Sequence, residues 1–155
     1  MIYIAHRGNT NGKFESYENE PNYIDKAISE GFDVEVDVWL VDDVWYLGHD
    51  KPQYGGPLKW LLDRSDKLWI HCKNKEAVEY FIENDDECKD LNWFWHEEDT
   101  MTLTSFGYAW VYPGKQPIKK SIAVMPEIHN DDVSKCLGIC SDYIKRYKDE
   151  IEQTK

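Results

Sequence analysis

The chain has 155 residues, 30 acidic against 18 basic, and a formal charge of −12, which repels nucleic-acid backbones and anionic lipid and excludes a sequence-independent nucleic-acid binder. Apolar residues at 41% and aromatics at 14%, with seven Trp and ten Tyr, exclude a disordered chain and point to one globular domain over residues 1–155. The opening Met1-Ile2-Tyr3-Ile4-Ala5-His6-Arg7 has no basic stretch leading into an apolar one, no run reaches membrane-span length, and Cys72, Cys88, Cys136 and Cys140 form no CxxC pair, so we expect a reduced cytoplasmic protein without membrane insertion.

Residues 2–5 are wholly apolar with no helical period and read as a buried strand ending at His6. Pro21 suits a first helical turn, Ile24, Ala27 and Ile28 recur at helical spacing, and Gly31 supplies the stop. Residues 32–40 alternate with period two, which puts Val34, Val36 and Val38 on one face and Glu35 and Asp37 on the other. Asp42-Asp43 turns the chain into a short strand, residues 44–47, that ends at Gly48-His49-Asp50. A strand over 68–73 leads into a helix over about 75–84 with Ala77, Val78, Phe81 and Ile82 as its apolar stripe. Strands then follow quickly, at 91–95, 108–112, 122–125 and 137–140, most of them too close together for full helices between. An amphipathic segment from Tyr143, with Ile144, Tyr147 and Ile151 on one side, closes the chain. Strands interleaved with helices predict an α/β parallel sheet, open or curled into a barrel.

Three features meet at the carboxyl ends of early strands, where parallel α/β folds build active sites: His6-Arg7, Glu35 with Asp37, and His49. Two carboxylates pointing the same way from one strand are costly to bury unless they share a cation, and a hard divalent metal resolves that cost. Two histidines near such a metal can divide the work of general base and general acid. Arg7 is fork-shaped and always charged, which suits a phosphate, and Lys73 at the end of a central strand needs an anionic partner. These are the parts of metal-assisted phosphoryl transfer. Other residues carry two readings. Glu18-Asn19 is either a polar helix entry or part of the site, and Trp93 and Trp95 share a face as core or pocket wall. Trp110, between Tyr108 and Tyr112, is a wall for a small polar alcohol or lies in an edge strand ending in a solvated Lys115. The cluster His96, Glu97, Glu98 and Asp99 joins the metal or is a solvated loop. Asp33 and Asp50 read as turn formers, and Cys136 and Cys140 as core packing without structural zinc.

Ala5-His6-Arg7-Gly8, Glu18-Asn19, Gly31-Phe32-Asp33-Val34-Glu35-Val36-Asp37-Val38 and Gly48-His49-Asp50 resemble, in order and spacing, the HRG, EN, GxDxExDV and HD elements of the glycerophosphodiester phosphodiesterase family. The first third of the chain follows that signature closely; Ile70-His71-Cys72-Lys73 and the segment from Gly138 to Tyr143 resemble its third and closing strands. The resemblance implies a phospholipase C-like phosphodiesterase barrel, a link to lipid metabolism, and a metal held by Glu35, Asp37 and a third carboxylate. It further implies His6 and His49 as acid and base, and Arg7 on the phosphate; Lys73 and Trp110 are the other expected substrate contacts. A substrate hydroxyl beside the phosphorus typically attacks first in that family, giving a cyclic phosphate.

The chain departs from the family at two points. His71 stands where the third glutamate is usual, and a histidine ligand favours Mn or Zn over Ca or Mg. Alternatively Glu97, Glu98 or Glu127 supplies the missing oxygen while His71 meets the substrate. The expected cofactor is Mg or Mn, with Ca or Zn as alternatives. The second departure is length, since a full eight-stranded barrel takes about 250 residues and rarely fewer than about 200. We therefore expect a reduced TIM-type (β/α) barrel with helices trimmed in its C-terminal half. Bare strand faces there would seek a partner, which predicts a homodimer. The functional expectation is a metal-dependent phosphodiesterase of small glycerophosphodiester-like substrates; the alternative is a non-catalytic domain that binds a phosphorylated ligand or a metal.

Overall fold

In the computed structural model, which describes residues 1–154, the chain runs β1 (Ile2–His6), α1 (Pro21–Ser29), β2 (Asp33–Val41), β3 (Val44–Leu47), β4 (Tyr54–Gly55), α2 (Leu58–Leu62), β5 (Leu68–Cys72), α3 (Lys75–Glu83), α4 (Asp85–Cys88), β6 (Asn92–Phe94), β7 (Met101–Leu103), β8 (Ala109–Val111), β9 (Ile122–Val124), a 3-10 turn (Pro126–Ile128), β10 (Gly138–Ser141) and α5 (Ile144–Gln153). Its strands form one sheet. The parallel part has the order β6-β5-β2-β1-β10-β9-β8, with β3 antiparallel to the far half of β2, β4 antiparallel to β3, and β7 antiparallel to β8.

The two faces of this sheet bury different layers, as the alternation in β2 requires. Val34, Val36 and Val38 join Ile70, Cys72 and Ile139 against Ile24 and Ala27 of α1, Ala77 and Phe81 of α3 and Ile144 of α5. Each large aliphatic side chain removed from water there contributes about 1.5–3 kcal/mol. Ile82 does not belong to that stripe and is 61% exposed: it lies about 100° around the helix from Phe81, past the line of contact. On the other face Ile4, Trp69, Phe94, Trp110, Ile122 and Cys140 form a second cluster. Phe94 and Trp110 come from strands near opposite ends of the parallel run, yet their ring centroids are 4.6 Å apart. The sheet therefore curls on itself into a half-barrel of mixed α/β class. No ladder joins β6 to β7 among the described residues; Ser105 bridges the seam instead, giving its N–H to Trp93 O (2.7 Å) and its hydroxyl to Leu91 O (3.1 Å), while its Oγ accepts from Trp93 N–H (2.9 Å).

The C-terminal half is trimmed as expected: only the turn Pro126–Ile128 lies between β9 and β10. The strand faces expected to be bare are covered on β8 and β9 and bare on β7. Val111 and Ala123, outward on β8 and β9, are fully buried by the chain itself. Exposed apolar side chains appear instead on β7 and its turn, at Met101, Leu103 and Phe106. Trp93 and Trp95 also part company, because the strand stops at Phe94 and alternation stops with it. Trp93 packs outward on Phe81 at 5.7 Å, and Trp95 stands 42% exposed. Asp33 is no turn former; it begins β2 and accepts from Trp69 Nε1 (3.1 Å) and Lys67 Nζ (3.3 Å). Among the described residues no helix is long and apolar enough to cross a membrane.

Candidate functional site

Register decides where the motifs meet. β1 pairs with the first half of β2 and stops with His6 opposite Glu35, whereas β3 pairs with the second half and stops with Leu47 opposite Val38. The ends of β1 and β3 thus flank the same stretch of β2, with Arg7 N–H on Glu35 O (3.0 Å) and Gly48 N–H on Asp37 O (3.1 Å). On the other edge, β5 sets His71 beside Asp37, and Lys73 N–H reaches Val38 O (2.8 Å). The motif glycines are steric necessities. A Cβ on Gly48 (φ +152°) would stand 2.1 Å from Lys51 O, and one on Gly8 (φ +91°) 2.9 Å from the Tyr23 ring.

Glu35 and Asp37 are 2% and 0% exposed, and their oxygens are divided between protein donors and an open space. Asp37 Oδ2 accepts Asn19 Nδ2 (2.9 Å) and lies 3.1 Å from Arg7 Nε and 3.4 Å from His49 Nδ1. Asn19 closes a two-way clamp by accepting Asp37 N–H on Oδ1 at 2.9 Å. Asp37 Oδ1 has no hydrogen-bond partner although it is buried; the nearest cations are His71 Nδ1 at 3.2 Å and Lys73 Nζ at 3.9 Å. Burial alone would raise the Asp37 pKa, but its contacts with His49 and His71 and the charge of Arg7 hold it well below the ordinary carboxylate value. Glu35 Oε2 accepts Arg7 N–H (3.3 Å), and Oε1 lies 3.7 Å from His71 Nδ1.

His71 is fixed in ring plane and tautomer. Nε2 lies 2.8 Å from His96 O; a carbonyl only accepts, so Nε2 carries the hydrogen and Nδ1 faces the two carboxylates. The ring stacks on Phe94 at 5.0 Å. Burial opposes its charge, but Asp37 and Glu35 prevail and raise its pKa to about 9. Glu35, Asp37 and His71 offer three ligand atoms within 4.8 Å of one another.

His6 is oriented by Asp142, a residue of the closing-strand segment for which no role is expected from the sequence. Its Nδ1 is 2.8 Å from Asp142 Oδ1, which also accepts Asn9 Nδ2 at 2.8 Å, and its Nε2 is left 3.9 Å from Glu35 Oε2. Burial lowers the His6 pKa, but Asp142 and Glu35 outweigh it and the net shift is upward. Asn9 also donates to Glu18 Oε1 (3.0 Å), and Glu18 Oε2 accepts Arg7 Nη1 (3.1 Å). Glu18-Asn19 is thus part of the site: one residue holds Arg7, the other Asp37. Arg7 is a strut as much as a free cation, since Nη2 donates to His49 Nε2 at 3.2 Å.

His6, Arg7, Glu35, His49, His71, Lys73 and Trp110 all border one cavity of about 1550 Å³, with Asp37 buried against them. Trp110 is in its inner wall, and Trp95, Glu97, Glu98 and Asp99 line it after β6. Of the alternative third ligands, Glu127 is engaged elsewhere, accepting Ser141 Oγ (2.8 Å) and Tyr147 OH (3.5 Å), and neither Glu97 nor Glu98 joins the ligand cluster. Lys115 is solvated. Comparison with protein-family models, with curated proteins and with solved structures gives no match for this chain.

Proposed function

We propose that the protein is a metal-dependent phosphodiesterase on a reduced TIM-type barrel, acting on a small glycerophosphodiester-like substrate in a reducing cytoplasm. The observation that carries this reading is the Asp142–His6 pair, whose free Nε2 opens onto the cavity that holds the three-donor cluster. The cluster suits a divalent ion: Asp37 Oδ1 is buried without a hydrogen-bond donor, and His71 Nδ1, whose proton an ion would displace, points at two carboxylates. When bound, such an ion polarises a phosphoryl oxygen and offsets charge at phosphorus.

The chain's own residues do the rest. His6 Nε2 takes the proton of the attacking nucleophile, a substrate hydroxyl or a water, with Asp142 holding the imidazole and stabilising its charged form. The new O–P bond forms as the bond to the leaving alkoxide breaks. His49, the more exposed histidine, delivers a proton to that alkoxide once its Nε2 has left Arg7 and taken up a proton from solvent. Lys73 and the unused Arg7 donors hold the anion. The acidic rim of Asp50, Glu97, Glu98 and Asp99 tolerates a singly charged diester better than a doubly charged monoester, which favours diester entry and product departure.

Turnover of bis(p-nitrophenyl) phosphate with added Mn tests this. We expect loss on chelation, a fall of about 10²–10⁴-fold in His6→Ala, and in Asp142→Asn a comparable fall with the acidic limb of the pH–rate profile, set by His6 as base, moved to lower pH. Unchanged rates in both variants would sink the reading. A second reading, metal-dependent binding of a phosphorylated ligand without turnover, is favoured by the engagement of Arg7 with Glu18, Asp37 and His49. Calorimetric binding of glycerol phosphodiesters with no product over hours would select it.

A further inference from the structure

We propose that the cluster is a nitrogen-containing centre for a first-row transition ion of the Mn, Fe, Co or Zn type, with His71 Nδ1 as the ligand that discriminates against Mg and Ca, and the His96 carbonyl as its positioning group. This rests on the metal-site part of the reading above, not on turnover. Ligand atoms about 2.1 Å from a shared ion stand about 3.0 Å apart at right angles and about 3.4 Å apart at the tetrahedral angle. The separations of His71 Nδ1 from Asp37 Oδ1 (3.2 Å) and from Glu35 Oε1 (3.7 Å) are close to that range. Mg and Ca prefer an all-oxygen shell, whereas imidazole suits the transition ions. A ligating histidine characteristically gives its second N–H to a carbonyl or carboxylate, which fixes the tautomer and strengthens the donor nitrogen. His71 does this through His96 O, and stacking on Phe94 removes the remaining ring freedom. The segment behind it is anchored in turn, with His96 8% exposed, its Nε2 2.8 Å from Asp99 Oδ1 and its ring edge-on to Tyr112. Glu35 and His71 border the cavity, so further coordination positions open toward substrate.

The test is calorimetry on chelator-stripped protein with Mn, Co, Zn, Mg and Ca salts, together with pulsed electron paramagnetic resonance of the Mn-loaded protein. We expect nitrogen coupling from one imidazole in the wild type and its loss in His71→Glu. That variant should also narrow the preference for Mn over Mg by about tenfold or more. If His71→Glu does not fold, the wild-type spectrum decides alone. Absence of imidazole coupling, or a Mn/Mg ratio that the variant leaves unchanged, overturns the proposal. His71-dependent metal binding without diester hydrolysis would defeat the catalytic reading and leave this one standing; binding of no ion at all would defeat both.

Discussion

Asp37 keeps its two oxygens in different company. Oδ2 accepts Asn19 Nδ2 and lies close to Arg7 Nε and His49 Nδ1, and Oδ1 is left to face His71 and Lys73. In metal-free protein the proton on His71 takes the place of a shared cation, and this gives stability a definite pH dependence. The folded pKa, about 9, lies above the ordinary 6.5, so the charged imidazole favours the folded chain. That contribution is complete below pH 6.5 and is lost as pH rises through about 9. With a chelator present, the melting temperature should fall between those limits, and His71→Asn should flatten the slope. Saturating Mn should abolish or reverse the slope, because metal and proton compete for the same nitrogen. A wild-type slope unaffected by Mn would show that the two do not share a site.

The strands place these side chains by where they stop. β1 and β3 are short because each covers half of one edge of β2, and the turns that end them need backbone shapes that L-residues resist. Gly48 is the sharpest case, since an added Cβ would overlap the Lys51 carbonyl rather than a movable side chain. Gly48→Ala should cost about 2–4 kcal/mol in urea unfolding and displace His49, seen as a shift of its ring resonances. Gly31→Ala, also at positive φ but with open space around it, should cost only about 1 kcal/mol. Equal losses at the two positions would contradict the steric account. The elements that the sequence leaves unread, β4, β7, α2 and α4, have two to five residues each, too few for a period to show.

The curl of the whole sheet depends on its aromatic interior and on a seam held by Ser105. Phe94, Trp69 and Trp110 fill the space between the approaching ends, and Ser105 supplies the bonds that a ladder would otherwise make. Ser105→Ala removes two side-chain bonds and should cost about 1–3 kcal/mol. The loss should appear as faster amide exchange at Trp93, with the β1 and β10 amides unchanged; uniform acceleration throughout would mean that the seam is not a local weak point.

Local patterning was enough to read β2 and its burden. Period-two alternation dictates that three valines pack on helices while Glu35 and Asp37 share the opposite face, whatever the rest of the chain does. The motifs at His6-Arg7, Glu18-Asn19 and His49 were visible for a similar reason, being short segments at the ends of strands with recognisable punctuation. Asp142 was not legible as the partner of His6, because 136 residues separate them and only the parallel pairing of β1 with β10, Ala5 opposite Ser141, brings their ends together. Nor was it legible that His71, and not Glu97, Glu98 or Glu127, would stand beside Glu35 and Asp37, which turns on which side chain reaches the carboxylates and on the His96 carbonyl behind the ring. Hydrophobic period is a property of neighbouring residues, whereas ligand geometry and proton sharing depend on strand register, and register is fixed only when the sheet assembles.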